Sequence, residues 1–290
     1  MPEKSKEIKG WELTVRLHRV QSVASTFNKQ LPPLPGFSIR RDRFVRQQTK
    51  IRTYARVQSL KNVDTGTSVY LQYQCKPPWL EPVKLTVVPT RSQGLQRAEL
   101  EEICGRFKYP RLLTVELALD FGEGSEVDRS FVLRHGLFGR SRPVGGRLFR
   151  DLRFGTRHSD TMVRAYKRPE TRSYRVEFEL HSSWLSRYGI TQPSDLSKLP
   201  HLLCFSRINF VAIDWDALAG HLRRKGHPAS ALNSARSQAY SIHRALTVLR
   251  GEIGLVNVHR FLSPLRINTV IKRELEDWAN RWRNSLHTSL

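Results

Sequence analysis

The chemistry-bearing side chains of this sequence crowd into DLRFGTRHSDTMVRAYKRPETRSYRVEFELHSSWL, residues 151–185. Two alternating runs, Met162–Lys167 and Tyr174–His181, flank the six-residue loop RPETRS and predict a β-hairpin. Symmetric closure about that loop sets Tyr166 opposite Arg175 and Arg164 opposite Glu177, because directly paired residues share a face of a sheet. Val163, Ala165, Val176, Phe178 and Leu180 then point to the core. Arg164, Tyr166, Arg175, Glu177, Glu179 and His181 share the other face.

That inventory suits phosphodiester transfer by a tyrosine. A free phenol titrates at about 10, so it needs a proton acceptor or a stabilising charge before it attacks phosphorus. A Mg²⁺ or Mn²⁺ held by carboxylates polarises the phosphate, and arginines neutralise charge that develops on its oxygens. On this reading Tyr166 is the nucleophile, Glu177 the leading metal ligand and Glu179 a further one, while Arg164 and Arg175 clamp phosphate. The same pattern also fits a solvent-facing hairpin whose cross-strand ion pairs contribute ~0.2–1 kcal/mol each.

The elements that must position these residues can be read upstream. In LLTVELALDFGEG, Leu113, Val115, Leu117 and Leu119 alternate with Thr114, Glu116, Ala118 and Asp120, which predicts a strand with both acids on its non-core face. If that strand neighbours the hairpin, Glu116 or Asp120 joins the ligand set. Both cannot ligate one ion from a regular strand, since four residues at ~3.3 Å each hold them roughly 13 Å apart. Near the start, WELTVRLHRV places Leu13, Val15 and Leu17 on one face. Strands are expected over 69–75 and 83–88, and a short helix follows with Leu95, Leu100, Ile103 and Phe107 on one side.

Two segments look built for a polyanion. Between Arg40 and Arg56, seven basic residues (Arg40, Arg41, Arg43, Arg46, Lys50, Arg52, Arg56) face the single acid Asp42, with Phe44 and Tyr54 interleaved as stacking residues. Residues 134–150 hold five arginines, Arg140, Arg142 and Arg147 among them, with four glycines and a proline; so many breakers predict a mobile basic loop. Beyond residue 225 the character changes. Leu232, Ala235, Ala239, Ile242, Leu246 and Leu249 recur at helical spacing, and Ile267, Ile271, Leu275, Trp278 and Trp282 form a second stripe whose tryptophans read as core. The expected organisation is a β-rich nucleic-acid-binding domain over 1–225 and an α-helical region over 226–290.

Composition agrees with an anionic partner. The chain has 290 residues, with 49 Lys+Arg against 26 Asp+Glu, a net charge of +23 and a pI near 10.7. Self-repulsion of that size disfavours an ordinary metabolic enzyme and favours nucleic acid as the partner. No run of 18 apolar residues and no signal-peptide core occur, so an intracellular, cytoplasmic protein without a membrane partner is expected, associated with the nucleoid or a plasmid. Cys75, Cys104 and Cys204 are odd in number and widely spaced, which fits buried thiols rather than a disulfide framework. No two histidines stand two residues apart.

The order FGTRHSDTMVRAYKR, then YRVEFEL, with TVELALD upstream, resembles the signature of the Rep_trans replication initiation factors, which start rolling-circle replication of plasmids and phages. Related relaxases process conjugative elements. The resemblance implies an α+β fold, a curved and mainly antiparallel sheet with packed helices, in a protein that is often dimeric. It implies Tyr166 as nucleophile, Glu177 with Glu116 or Asp120 at a divalent metal, and Arg164, Lys167 and Arg175 as phosphate contacts. Glu116 stands where the family has Asp, Thr114 where it has Arg, and the Asp usual between Tyr and Lys is missing. The leading expectation is a DNA-nicking initiator or relaxase-like protein acting on single-stranded or origin duplex DNA. The alternatives are a non-catalytic DNA-binding regulator on the same scaffold and an RNA-binding basic protein.

Overall fold

The computed structural model describes residues 13–26, 30–44, 54–75, 79–90, 94–122, 131–134, 142–143, 152–155, 159–168, 173–201, 208–230, 232–233, 251, 258–264 and 267–285. The fold is α+β. Ten strands form one antiparallel sheet: β1 (Leu13–Ser25), β2 (Phe37–Phe44), β3 (Tyr54–Asn62), β4 (Ser68–Cys75), β5 (Val83–Val88), β6 (Lys108–Phe121), β8 (Arg142–Pro143), β9 (Leu152–Phe154), β10 (Thr161–Lys167) and β11 (Tyr174–His181). Their spatial order is β2-β3-β4-β5-β1-β6-β11-β10-β9-β8. A three-stranded antiparallel sheet joins β7 (Phe131–Arg134), β12 (Ile208–Ile213) and β13 (Leu262–Pro264).

Alternation decides which face is covered. Val69 and Leu71 on β4, Leu85 and Val87 on β5, Val115, Leu117 and Leu119 on β6, and Val176, Phe178 and Leu180 on β11 are all buried in one core cluster. Onto that face pack α1 (Arg97–Gly105) through Leu100 and Ile103, and α2 (Ser182–Arg187) through Trp184 and Leu185. A further short helix, α3 (Trp215–Arg224), is capped by Asp214, whose Oδ1 accepts from the Ala217 N–H at 2.9 Å. The long α4 (Ile267–Asn284) buries Ile271, Leu275, Trp278 and Trp282 and packs against β1. The tryptophans stack at 5.7 Å, so their expected place in the core is observed. Phe121 meets Phe210 edge-on at 5.3 Å and ties the two sheets together.

Among the described strands the pairing shifts register three times between β1 and β6 and once between β2 and β3, and two of the β1–β6 shifts move the buried residues. On β1, Leu17 pairs with Leu117 but Arg19 pairs with Glu116, so His18 and Arg19 together stand opposite one residue. The buried series accordingly slips from Leu13, Val15 and Leu17 to Val20. On β6, Gln21 pairs with Thr114 and Ser22 with Leu112, so Leu113 is the extra residue and Leu112 takes the core position expected of Leu113.

Other departures have plain causes. Tyr54 is buried with its hydroxyl donated to the Glu81 carbonyl at 3.0 Å, so it is a core residue and not a stacking platform. Within the basic loop expected over 134–150, Arg142 and Pro143 pair with Arg153 and Leu152 as a two-residue strand. A proline is tolerated there because β8 is the sheet edge. Of the helical stripe expected from Leu232 to Leu249, only residues 232–233 are described, and they are helical. Arg46, Lys50, Arg52, Arg140, Arg147 and Cys204 lie outside the described residues. Cys104 is buried, which pushes its thiol up to about 12, whereas Cys75 is half-buried.

Candidate active site

The hairpin closes in the expected register, with Tyr166 opposite Arg175 and Arg164 opposite Glu177. The chain enters β10 through Gly155, whose φ of +87° is left-handed; a Cβ there would lie 2.7 Å from the Thr161 carbonyl, so glycine alone fits. On its other side β11 pairs with β6, which sets Arg175 opposite Asp120, Glu177 opposite Ala118 and Glu179 opposite Glu116. β6 in turn pairs with β1. Four neighbouring strands thereby deliver their polar faces to one place.

Glu116 and Glu177 form its centre, each 1% exposed. The β1 bulge aims both His18 and Arg19 at this centre. His18 Nδ1 lies 3.4 Å from Glu116 Oε2 and 3.4 Å from Glu177 Oε1, and Arg19 donates to Glu116 Oε1. Arg164 Nη2 lies 2.8 Å from Glu177 Oε2 and 3.5 Å from Glu116 Oε1. Tyr166 donates its hydroxyl to Glu177 Oε1 at 2.6 Å.

Electrostatics follow from that geometry. Burial raises the Tyr166 pKa, and the charge and hydrogen bond of Glu177 raise it further against the opposing pull of Arg175 and Arg164. For Arg164, burial works against the charged form, but Glu177 and then Glu116 outweigh it and the pKa rises. The phenol is therefore a hydrogen-bond donor at neutral pH, and the carboxylate beside it is placed to receive its proton.

Other expected site residues are engaged by partners of their own. Arg175 is 4% exposed and grips Asp120 with two hydrogen bonds, Nε to Oδ1 at 2.5 Å and Nη2 to Oδ2 at 2.7 Å. Expected at phosphate, it stands buried behind Glu177, whose Oε1 is 3.5 Å from its Nη1. Asp120 also faces Arg16 and Arg168 at 3.6 Å each, so it anchors arginines and stands outside the ligand cluster. Glu179 pairs with His181 at 3.0 Å and Arg19 at 3.9 Å, and likewise stands outside it. Lys167 ends β10 opposite Tyr174. Arg40, Arg41 and Arg43 are exposed on β2, whereas Arg56 is committed to Asp42 at 2.9 Å and lies over the Tyr73 ring.

His18 Nδ1, a Glu116 oxygen and a Glu177 oxygen lie within 4.8 Å of one another and can hold a metal ion. Two carboxylates and one imidazole fit Mg²⁺ or Mn²⁺, with the nitrogen donor favouring Mn²⁺. The sequence reading found both glutamates and missed the histidine. Its signal was present: two consecutive polar residues, His18-Arg19, interrupt the apolar alternation of β1.

No family model and no curated protein matches the chain. Among solved structures, it is similar to a rolling circle replication initiator protein from Geobacillus stearothermophilus, at 13% identity and a TM-score of 0.40, over 69% of this chain and 87% of that one. No helix among the described residues is long and apolar enough to cross a membrane.

Proposed function

We propose that this protein is a replication-initiator-like, metal-assisted DNA-nicking protein that acts through Tyr166. The observation that carries the reading is the 2.6 Å hydrogen bond from Tyr166 to Glu177, an oxygen of which also belongs to the three-donor cluster with His18 and Glu116. The resemblance of the hairpin motifs to the Rep_trans family supports the same reading. Glu177 accepts the phenolic proton as the Tyr166 oxygen attacks phosphorus. The P–O3′ bond breaks, leaving a 3′ hydroxyl once the departing oxygen is protonated by solvent, and a 5′ phosphate on the tyrosine. Arg164, half-exposed at the rim, turns from Glu177 to the phosphate oxygens; Arg175 and Asp120 hold the strand positions beneath it. A divalent cation on His18, Glu116 and Glu177 would polarise the phosphate and stabilise the departing oxygen.

The test uses the full chain with single-stranded oligonucleotides from the replicon that encodes it, plus Mn²⁺. A covalent protein–DNA adduct that resists denaturant is expected, and it disappears in Tyr166→Phe. An adduct of undiminished yield in that variant removes Tyr166 from the reaction.

One observation favours a second reading, a non-catalytic DNA-binding protein on the same scaffold. Four carboxylates (Glu116, Asp120, Glu177, Glu179) already face five arginines (16, 19, 164, 168 and 175), so the acids are neutralised without a metal. That version binds DNA in a salt-sensitive way, forms no adduct and shows no thermal stabilisation by divalent ions.

A further inference from the structure

The sheet continues well past the site, and the register shows what the face opposite the core carries. Strand pairing gives one transverse row, Arg41 on β2, Ser59 on β3, Tyr70 on β4, Thr86 on β5, Gln21 on β1 and Thr114 on β6. Thr114 is two residues from Glu116 on the same face, so the row runs directly into the site. Five strand intervals of ~4.8 Å make it about 24 Å long. The adjacent row carries Arg43 on β2, Gln72 on β4 and Lys84 on β5.

This face differs in kind from the one beneath it. Leu60, Val69, Leu71, Leu85 and Val87 alternate onto the core side and are buried. Arg41, Arg43 and Tyr70 are exposed, Tyr70 at 41%, and Lys84 is half-buried. Across β2 to β5 the strand residues on this face include no carboxylate, because Asp42, the acid of β2, faces the other way and accepts from Arg56 and the Tyr73 hydroxyl. Arg41, Arg43 and Lys84 make no ion pair among the described residues.

We infer that this face is a track for a single DNA strand, which crosses from β2 over β3, β4 and β5 to enter the site at β1 and β6. The choice of occupant is chemical. Three cations spread over two adjacent rows, with no acid among them on β2 to β5, suit a phosphate backbone, and the exposed Tyr70 ring between them offers a stacking platform that only an unpaired base can use. Among the described residues this face of the sheet supplies no helix or ribbon to enter a duplex groove. Naming DNA rests on the nicking reading; the track itself rests on the charge and register of β2 to β5.

The test is fluorescence anisotropy of the full chain with a labelled oligothymidylate of about 20 nucleotides, its duplex counterpart and an RNA of the same length, across a salt series. The triple variant Arg41→Gln, Arg43→Gln, Lys84→Gln is expected to weaken single-strand binding and to reduce the salt slope by about 2, at ~0.7 for each phosphate no longer neutralised. Tyr70→Ala is expected to weaken it ~5- to 150-fold, with recovery in Tyr70→Phe. Melting temperatures matching the parent protein establish that each variant is folded. Unchanged affinity and slope in the triple variant overturn the track, as do an equal loss on duplex or tighter binding of the RNA. The adduct assay separates this from nicking: an adduct through Tyr166 with unchanged binding in the track variants leaves nicking standing and the track refuted. Lost binding in the track variants, with no adduct from the parent protein, leaves the track standing and nicking refuted.

Discussion

Tyr166 and Glu177 meet diagonally across the β10–β11 hairpin, the phenol donating to Oε1 at 2.6 Å although the direct cross-strand partner of Tyr166 is Arg175. A phenol held this way resists ionisation, because burial and the adjacent carboxylate both disfavour a second negative charge. Tyr166 should therefore titrate above the free-tyrosine value in the metal-free protein, and Glu177→Gln should move it back down. Absorbance titration of the parent protein against Tyr166→Phe isolates the signal. Since the folded-state pKa is raised, the stabilisation this tyrosine gives is complete below about 10, the unfolded value, and is lost as pH climbs beyond it. A Tyr166 midpoint at or below 10 would contradict the hydrogen-bonded geometry.

Among the described residues, His18 is the one imidazole beside the two buried carboxylates, and nitrogen ligation distinguishes the candidate ions. Mn²⁺ should raise the melting temperature of the parent protein, by up to ~2.7 kcal/mol of added stability at 100 times its dissociation constant. His18→Ala should lose more affinity for Mn²⁺ than for Mg²⁺, and Glu116→Gln should lose both. Thermal melts with each ion and the Mn²⁺ electron paramagnetic resonance signal read this out. Equal losses for the two ions in His18→Ala would place the imidazole outside the coordination sphere.

What the sequence made legible was whatever strict alternation controls. The hairpin, its register and the shared face of Arg164, Tyr166, Arg175 and Glu177 all follow from a period of two, and so does the placing of Glu116 on the non-core face of β6. Bulges hid the rest. One extra residue at His18-Arg19 turns two side chains toward Glu116, and one at Leu113 shifts the core to Leu112; a period-two template carried through either point assigns the wrong faces. Partner choice was hidden too. Whether Arg175 serves phosphate or Asp120 depends on which strand lies beside β11, a long-range pairing that no local pattern encodes.

Asp195 gives a pH dependence away from the site. Its carboxylate receives Lys198 Nζ at 2.8 Å and the backbone N–H groups of Gln192 and Thr191 at 2.9 and 3.1 Å, which hold its pKa down at about 2. It caps the 3-10 turn Pro193–Lys198, where Leu196 is buried. A depressed carboxylate stabilises the fold above its unfolded pKa of about 3.9 and loses that contribution as pH falls toward the folded value. Asp195→Asn should thus melt lower than the parent protein at neutral pH, with the gap closing between about pH 4 and pH 2. A gap that stays constant through that window would show that the charge plays no part.

Arg164 holds the carboxylates that a metal would need, and a phosphate would be its alternative partner. Its Nη2 lies 2.8 Å from Glu177 Oε2 and 3.5 Å from Glu116 Oε1, and both glutamates belong to the metal-ligand cluster. A guanidinium there repels an incoming dication and pairs with the oxygens it would need, so metal entry requires Arg164 to leave. A DNA phosphate supplies the alternative partner, which makes metal and DNA binding mutually reinforcing. Arg164→Gln should accordingly bind Mn²⁺ more tightly without DNA, roughly tenfold or ~1.4 kcal/mol. In the same variant DNA should no longer enhance Mn²⁺ binding, and adduct formation should fall. Calorimetric titration of Mn²⁺ with and without a non-cleavable single-stranded oligonucleotide measures both arms. If DNA enhances Mn²⁺ binding equally in the parent protein and in Arg164→Gln, this arginine is not the group that links the two ligands.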